Sequence, residues 1–143
     1  MSSGLPGIED SLPIMLLRTR EAVMQRFRPH LANHGVTEQQ WRVLRALAEH
    51  STLDAGQLAE LCCILPPSLS RILSTLEQQG LIKRLPAETD LRRVVISLKP
   101  KGRQLFNKMQ PESMRIYASI QEDLGGASID ELLEQLRAVQ RVM

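Results

Sequence analysis

The chain has 143 residues, of which 43% are hydrophobic and 24% charged, and its formal net charge is +2. This length suffices for one hydrophobic core, and the composition excludes a disordered low-complexity chain. No apolar run approaches the ~18 residues that span a bilayer, and two adjacent cysteines cannot build a disulfide framework. Residues 1–4 lack the basic and apolar regions of a secretion signal, so we expect a cytoplasmic protein without membrane contact.

The N-terminal part of the sequence predicts two helices. Apolar residues at steps of three and four predict the first over residues 10–32, and Gly35 lies at its stop. Thr37 and Gln40 have the spacing of a capping box, in which each side chain accepts a hydrogen bond from the other residue's backbone amide. They begin a second helix that ends near His50.

The following segment predicts a helix, a tight connection and another helix. These helices occupy residues 53–63 and 66–79, and Gly80 stands where the helix end requires a positive φ angle. A pair of this kind can present its second helix to the major groove of DNA. Ordinary solvated helix surface is the alternative explanation of its exposed serines. The candidate DNA contacts on this helix are Pro67, Ser68, Ser70, Arg71, Ser74 and Thr75.

After Gly80 the apolar period changes from 3.6 to 2, which predicts a β hairpin. Its strands are residues 81–85 and 93–98, and its polar tip is residues 86–90. Segment 71–103 holds 8 basic and 3 acidic residues, a net charge of +5 in a chain that is otherwise neutral or acidic. A basic block of this kind favours binding to phosphates, although a solvated charged segment would have the same composition.

Two more helices are predicted at the C-terminal end. The first follows Pro100-Lys101-Gly102 and is expected to kink at Pro111, and Ser128 caps the second. Together with the first helix they carry more apolar surface than a winged helix of ~70 residues can cover. A symmetric dimer would bury this surplus, and a monomeric helical bundle is the alternative.

The predicted fold class is therefore mainly α (α+β), a winged helix-turn-helix with terminal helices for dimerisation. Residues 1–34 and 103–143 are assigned to the dimerisation region and residues 35–102 to the DNA-binding region, within a single intertwined domain.

Two segments resemble the MarR family of regulators. Residues 76–84 are similar to the family's passage from recognition helix to wing, and Asp90-Leu91-Arg92-Arg93 with residues 96–102 is similar to its wing motif. The resemblance covers residues 10–142. Residues 18–22 with 27–29, then 37–45 and 63–69, resemble the subgroup that represses aromatic-acid degradation operons. Leu65-Pro66-Pro67 departs from the polar cap usual in the family.

The resemblance implies roles for the charged residues of the wing. Asp90 would pair with Arg92 and aim its guanidinium into the minor groove, where narrow A·T tracts attract arginine. Arg84 and Arg93 would contact phosphates, although solubility charges would explain them equally well. The partner expected from the resemblance is double-stranded operator DNA bound by a homodimer.

An effector site is predicted from the same resemblance. Such regulators bind a small aromatic acid, here 4-hydroxyphenylacetate or its 3,4-dihydroxy relative, which relieves repression. Trp41 and Arg45 lie one helical turn apart and could supply an aromatic wall and a carboxylate partner, with Met15, Arg18 and Thr19 completing the pocket. Alternatively, Trp41 is a core residue and the arginines are surface ion pairs.

Other functions are expected to be absent. The adjacent cysteines Cys62 and Cys63 could make a redox-sensing regulator of the same fold, but buried packing is the favoured interpretation. The three histidines lack zinc-ligand spacing, and no catalytic triad, phosphate-binding glycine loop or carboxylate pair is present. We therefore expect no metal, cofactor or enzymatic activity. A helical interaction module that does not bind DNA remains an alternative.

Overall fold

The computed structural model describes residues 4–143, and within them the chain is mainly helical with one small sheet. This confirms the predicted winged helix-turn-helix architecture. A 3-10 turn at Ile8–Asp10 precedes α1 (Leu12–Asn33), α2 (Glu38–His50), β1 (Thr52–Asp54), α3 (Ala55–Cys62), α4 (Pro66–Gln78), β2 (Ile82–Pro86), β3 (Val94–Leu98), α5 (Pro100–Asp123) and α6 (Ile129–Arg141).

Several helix ends follow the sequence signals. The Gln40 amide donates to Thr37 Oγ1 and the Thr37 amide to Gln40 Oε1, both at 3.1 Å, so the predicted capping box is present. Gly80 has a φ angle of 75° after α4. The Ser128 hydroxyl accepts from the Glu131 amide at 3.3 Å and begins α6. These signals depend on neighbouring residues only, which explains why the sequence revealed them.

The prediction of a helix from residue 53 is wrong at its beginning. Thr52–Asp54 is a short strand that pairs antiparallel with β3, with Leu53 opposite Ile96, and the sheet order is β1-β3-β2. Helix α3 starts only at Ala55, because Asp54 caps it through a hydrogen bond from the Gln57 amide at 2.8 Å. The wing is therefore a three-stranded sheet rather than an isolated hairpin.

The core of the winged helix lies between α2, α3, α4 and the sheet. In α4 the side chains of Leu69, Leu73 and Leu76 are at most 2% exposed, and each contributes about 1.5–3 kcal/mol through burial. They pack with buried side chains of the sheet, including Ile82 and Ile96. The buried stripe fixes which side of α4 faces solvent.

The first turn of α5 approaches the sheet closely at Gly102. A Cβ atom at Gly102 would lie 2.2 Å from the carbonyl oxygen of Leu81, so no side chain fits there. The same Leu81 oxygen accepts a hydrogen bond from the Lys99 amide at 2.9 Å. Lys101 Nζ donates to the Gln79 carbonyl at 2.9 Å, at the C-terminal end of α4. The beginning of α5, the beginning of β2 and the end of α4 thus form one joint.

The described residues fall into two compact units. One comprises the residues up to Phe27 and Glu112–Met143, and the other is Arg28–Pro111. Helices α1 and α5 each contribute to both units, and α5 continues past Pro111 to Asp123.

In the first unit the terminal helices are in contact. Arg26 forms an ion pair of 2.7 Å with Asp123, and the Phe27 and Tyr117 rings meet edge to face at 5.0 Å. Helix α6 has no buried residue. Large apolar side chains in this unit that stay exposed include Leu12, Met15, Leu16, Leu17, Met114, Tyr117, Leu124, Leu132 and Leu133.

Candidate nucleic-acid interface

Helix α4 presents a polar face to solvent. Of the predicted DNA contacts on it, Ser68 is half-buried and the other five are exposed. The helix begins with Pro66 after Leu65, which provides no side-chain cap. Proline is accepted in this first turn because the amide it lacks would have no partner within the helix. Short hydroxyls and the Arg71 guanidinium therefore stand on the solvent side of a rigid helix.

The hairpin contacts this polar face through Arg84. Its Nη2 donates to Ser74 Oγ at 3.1 Å, and its Nε lies 3.4 Å from Glu77 Oε2. Thr75 Oγ1 donates to the Arg71 carbonyl at 3.1 Å, so this hydroxyl lies against its own helix. Arg84 thus joins β2 to α4, a structural contact that the sequence analysis did not identify, and its role as a phosphate contact stays a prediction.

At the wing tip, Asp90 and Arg92 are paired. Asp90 Oδ1 accepts from the Arg92 amide at 3.0 Å and lies 3.5 Å from Arg92 Nε. The Arg92 side chain is nevertheless 93% exposed. An arginine held by one neighbouring carboxylate and otherwise in solvent can reach a partner molecule without breaking a contact of the core.

Arg93 points to a different partner. Its guanidinium binds the carboxylate of Asp54, the residue that caps α3. The hydrogen bond from the Gln57 amide, and then the Arg93 guanidinium, hold the pKa of the Asp54 carboxyl below its ordinary value. Asp54 was not among the predicted site residues, because its position in an unpredicted strand hid its relation to the wing.

The residues predicted for the effector site lie in both compact units. Met15, Arg18 and Thr19 are exposed on α1 in the first unit, and Arg45 is exposed on α2 in the second. Trp41 is only 6% exposed. It stacks on Phe106 of α5, with ring centroids 5.5 Å apart and an angle of 23° between the planes. Phe106 is an aromatic neighbour that the sequence analysis missed, since 65 positions separate the two residues.

The two cysteines have different surroundings. Cys62 is 3% exposed, and burial raises the pKa of its thiol. Its carbonyl accepts a hydrogen bond of 2.6 Å from Arg42 Nη1. Cys63 is exposed and takes a left-handed backbone conformation with a φ angle of 53°. A buried, protonated thiol at Cys62 agrees with a packing role.

The structure of residues 4–143 also bears on two other classes of site. No group of three or more His, Cys, Asp or Glu side chains in this range could hold a metal ion. None of the helices described here is both long and apolar enough to cross a membrane.

Comparison with known proteins agrees with this arrangement. A sequence model of the MarR family matches residues 36–94. The chain is 41% identical over 129 residues to the homoprotocatechuate degradative operon repressor of Escherichia coli, covering 90% of this chain and 87% of that protein. The crystal structure of the transcriptional regulator PA4135 gives a TM-score of 0.87 at 42% identity, over 93% of this chain and 98% of that one. NadR in complex with 4-hydroxyphenylacetate gives a TM-score of 0.83 at 39% identity, over 92% and 96% of the two chains.

Proposed function

Because this chain belongs to the MarR family of DNA-binding transcription regulators, we propose that it represses an aromatic-acid degradation operon as a homodimer that a phenolic acid releases. Membership in a family of regulators also confirms that the chain is not an enzyme. The observation that carries DNA binding is the exposed polar face of α4 beside a hairpin whose tip presents Arg92.

Two elements, α4 and the wing, would share the recognition of DNA. The polar side of α4 enters the major groove, where Ser70 and Ser74 reach base edges or phosphates and Arg71 makes a bidentate contact to guanine or clamps a phosphate. The wing follows the backbone to the adjacent minor groove, and Arg92 enters it. In this arrangement Asp90 orients Arg92 and does not touch the DNA.

A second copy of the chain would cover the apolar surface of the first unit. Helix α1 exposes Leu12, Leu16 and Leu17, and α6 exposes Leu132 and Leu133, which a monomer in water would leave unburied. A symmetric dimer buries the same surface on both copies and places two recognition helices at one pseudo-palindromic operator. Sedimentation equilibrium at micromolar concentration should give twice the chain mass of 16.1 kDa.

The proposed effector is a hydroxyphenylacetate. Two relatives support this class of ligand: the repressor of a homoprotocatechuate degradative operon and NadR, which was crystallised with 4-hydroxyphenylacetate. In this chain Arg45 would pair with the carboxylate, and Trp41 would flank the ring. A ligand that binds the free conformation more tightly than the DNA-bound one releases the operator by linkage.

One experiment tests both parts of the proposal. Duplexes selected by the protein from a random-sequence pool are labelled, and their affinity is measured by fluorescence anisotropy with and without 4-hydroxyphenylacetate. We expect sequence-specific binding that weakens as the acid is added, together with a rise in melting temperature. The matched control is 4-hydroxyphenylacetamide, which has the same ring but no carboxylate and should have little effect.

Each arm has an outcome that contradicts it. If the selection yields no preferred sequence, the chain is not a sequence-specific regulator. If both compounds leave the affinity and the melting curve unchanged, the effector assignment is wrong. A thiol-based sensor would instead lose DNA binding with peroxide, and the raised pKa of Cys62 argues against this residue as the reactive thiol.

A further inference from the structure

The carboxylate of Asp54 connects two parts of the winged helix, one through each oxygen. Its Oδ1 accepts a hydrogen bond of 2.8 Å from the Gln57 amide and thereby caps α3. Its Oδ2 accepts from Arg93, with Nε at 2.9 Å and Nη2 closer still. The first helix of the helix-turn-helix is thus tied directly to the hairpin.

Arg93 occupies the position that closes the wing tip. Its amide donates to the Asp90 carbonyl at 3.0 Å, and its own carbonyl accepts from the Ala87 amide at 2.7 Å. Strand β3 begins one residue after Arg93, and Arg92 is the residue immediately before Arg93. The Arg93 backbone therefore defines where the tip leaves the sheet, and its side chain attaches that point to α3.

We propose that Asp54 and Arg93 are positioning residues, which hold the wing tip so that Arg92 meets DNA at a defined angle. This inference rests on the proposed function. It differs from the sequence-based role of Arg93, because two of the three guanidinium nitrogens bind Asp54 rather than a phosphate. Release of Arg93 toward a phosphate would leave the Asp54 carboxylate uncompensated close to a polyanion.

Two further observations support a permanent pair. The Asp54 side chain is 22% exposed, whereas an isolated surface carboxylate is largely solvated. Two donors of one guanidinium on one carboxylate oxygen also limit rotation of the arginine more than a single contact would.

The substitution Asp54→Asn separates the two models by the sign of its effect. Asparagine caps a helix about as well as aspartate, so α3 should stay folded, and the melting temperature at neutral pH should fall only by the small loss of the ion pair with Arg93. If Arg93 contacts phosphate directly, removal of a nearby negative charge strengthens DNA binding. If Arg93 positions the wing, Asp54→Asn weakens binding by about fivefold, the loss expected for one charge-assisted pair.

A second comparison asks whether the effect passes through Arg92. In the Arg92→Ala background, Asp54→Asn should cause no further loss, because the group that it positions is gone. A general disturbance of the fold would instead reduce affinity equally in both backgrounds. Arg93→Gln provides an independent variant should Asp54→Asn fold poorly. It should lower affinity without changing the slope of log Kd against log salt, whereas loss of a phosphate contact reduces that slope by about one per subunit.

The probe is a labelled duplex selected from a random pool by the wild-type protein. Failure to select any sequence would overturn the proposed function and not this inference specifically. Specific binding by the wild type with equal or tighter binding by Asp54→Asn would overturn the positioning role alone. So would equal losses for Asp54→Asn in the wild-type and Arg92→Ala backgrounds, or a reduced salt slope in Arg93→Gln.

Discussion

Arg92→Ala should separate DNA binding from stability. The Arg92 side chain is 93% exposed, and its ion pair with Asp90 spans 3.5 Å. An exposed pair of this length contributes little, so the free energy of unfolding should change by less than about 0.5 kcal/mol. Loss of an arginine inserted into a groove costs about 1–3 kcal/mol per subunit, which is about 5- to 150-fold in Kd.

The measurement is fluorescence anisotropy with the selected duplex at fixed ionic strength, paired with urea denaturation of each variant. Arg115→Ala is a matched control, because Arg115 is also an exposed arginine paired with a nearby carboxylate, that of Glu112. It removes the same charge and should alter Kd by less than about twofold. Equal Kd values for the wild type and Arg92→Ala, or equal losses in both variants, would refute insertion of Arg92 into a groove.

Three more predictions concern the fold and its chemistry. Leu73→Ala should lower the free energy of unfolding in urea denaturation by about 2–5 kcal/mol, because Leu73 is only 2% exposed. Leu61→Ala, at a residue that is 53% exposed, should change the free energy of unfolding little, and similar losses in both variants would contradict the assigned core. Iodoacetamide should label Cys63 at least about tenfold faster than Cys62 by mass spectrometry, since burial keeps the Cys62 thiol protonated. The free energy of unfolding of the wild type should exceed that of Asp54→Asn above about pH 4, and the difference should disappear as the pH falls further, because the folded-state pKa of Asp54 is lowered. A difference in urea denaturation that does not depend on pH would contradict this.

The parts of the fold that depend on residues close together in the sequence could be predicted, and the parts that depend on distant residues could not. The capping box of Thr37 and Gln40 and the positive φ angle of Gly80 depend on residues a few positions apart, and both were predictable. Strand β1 was not, because Thr52–Asp54 is too short to have a recognisable period. It is a strand only because β3, some forty residues later, supplies its hydrogen-bonding partner.

In the candidate site, too, local features could be predicted and long-range contacts could not. Helical periodicity was sufficient to identify the exposed side of α4. Charge alone could not distinguish a DNA contact from an internal ion pair. Arg84 meets Ser74 across 10 positions and Arg93 meets Asp54 across 39, so their partners became known only from the folded chain. Arg92 remains exposed at the tip, as a groove contact requires.

The absence of a side chain at Gly102 has a mechanical consequence. Backbone lies directly on backbone where α5 meets the Leu81 carbonyl, so the two cannot slide without a steric clash. The Lys101 ammonium adds a tether to the last turn of α4. A tilt of the first turns of α5 must therefore also move α4, the recognition helix. Even the Cβ atom of an alanine at Gly102 would clash with the Leu81 carbonyl and separate α5 from it.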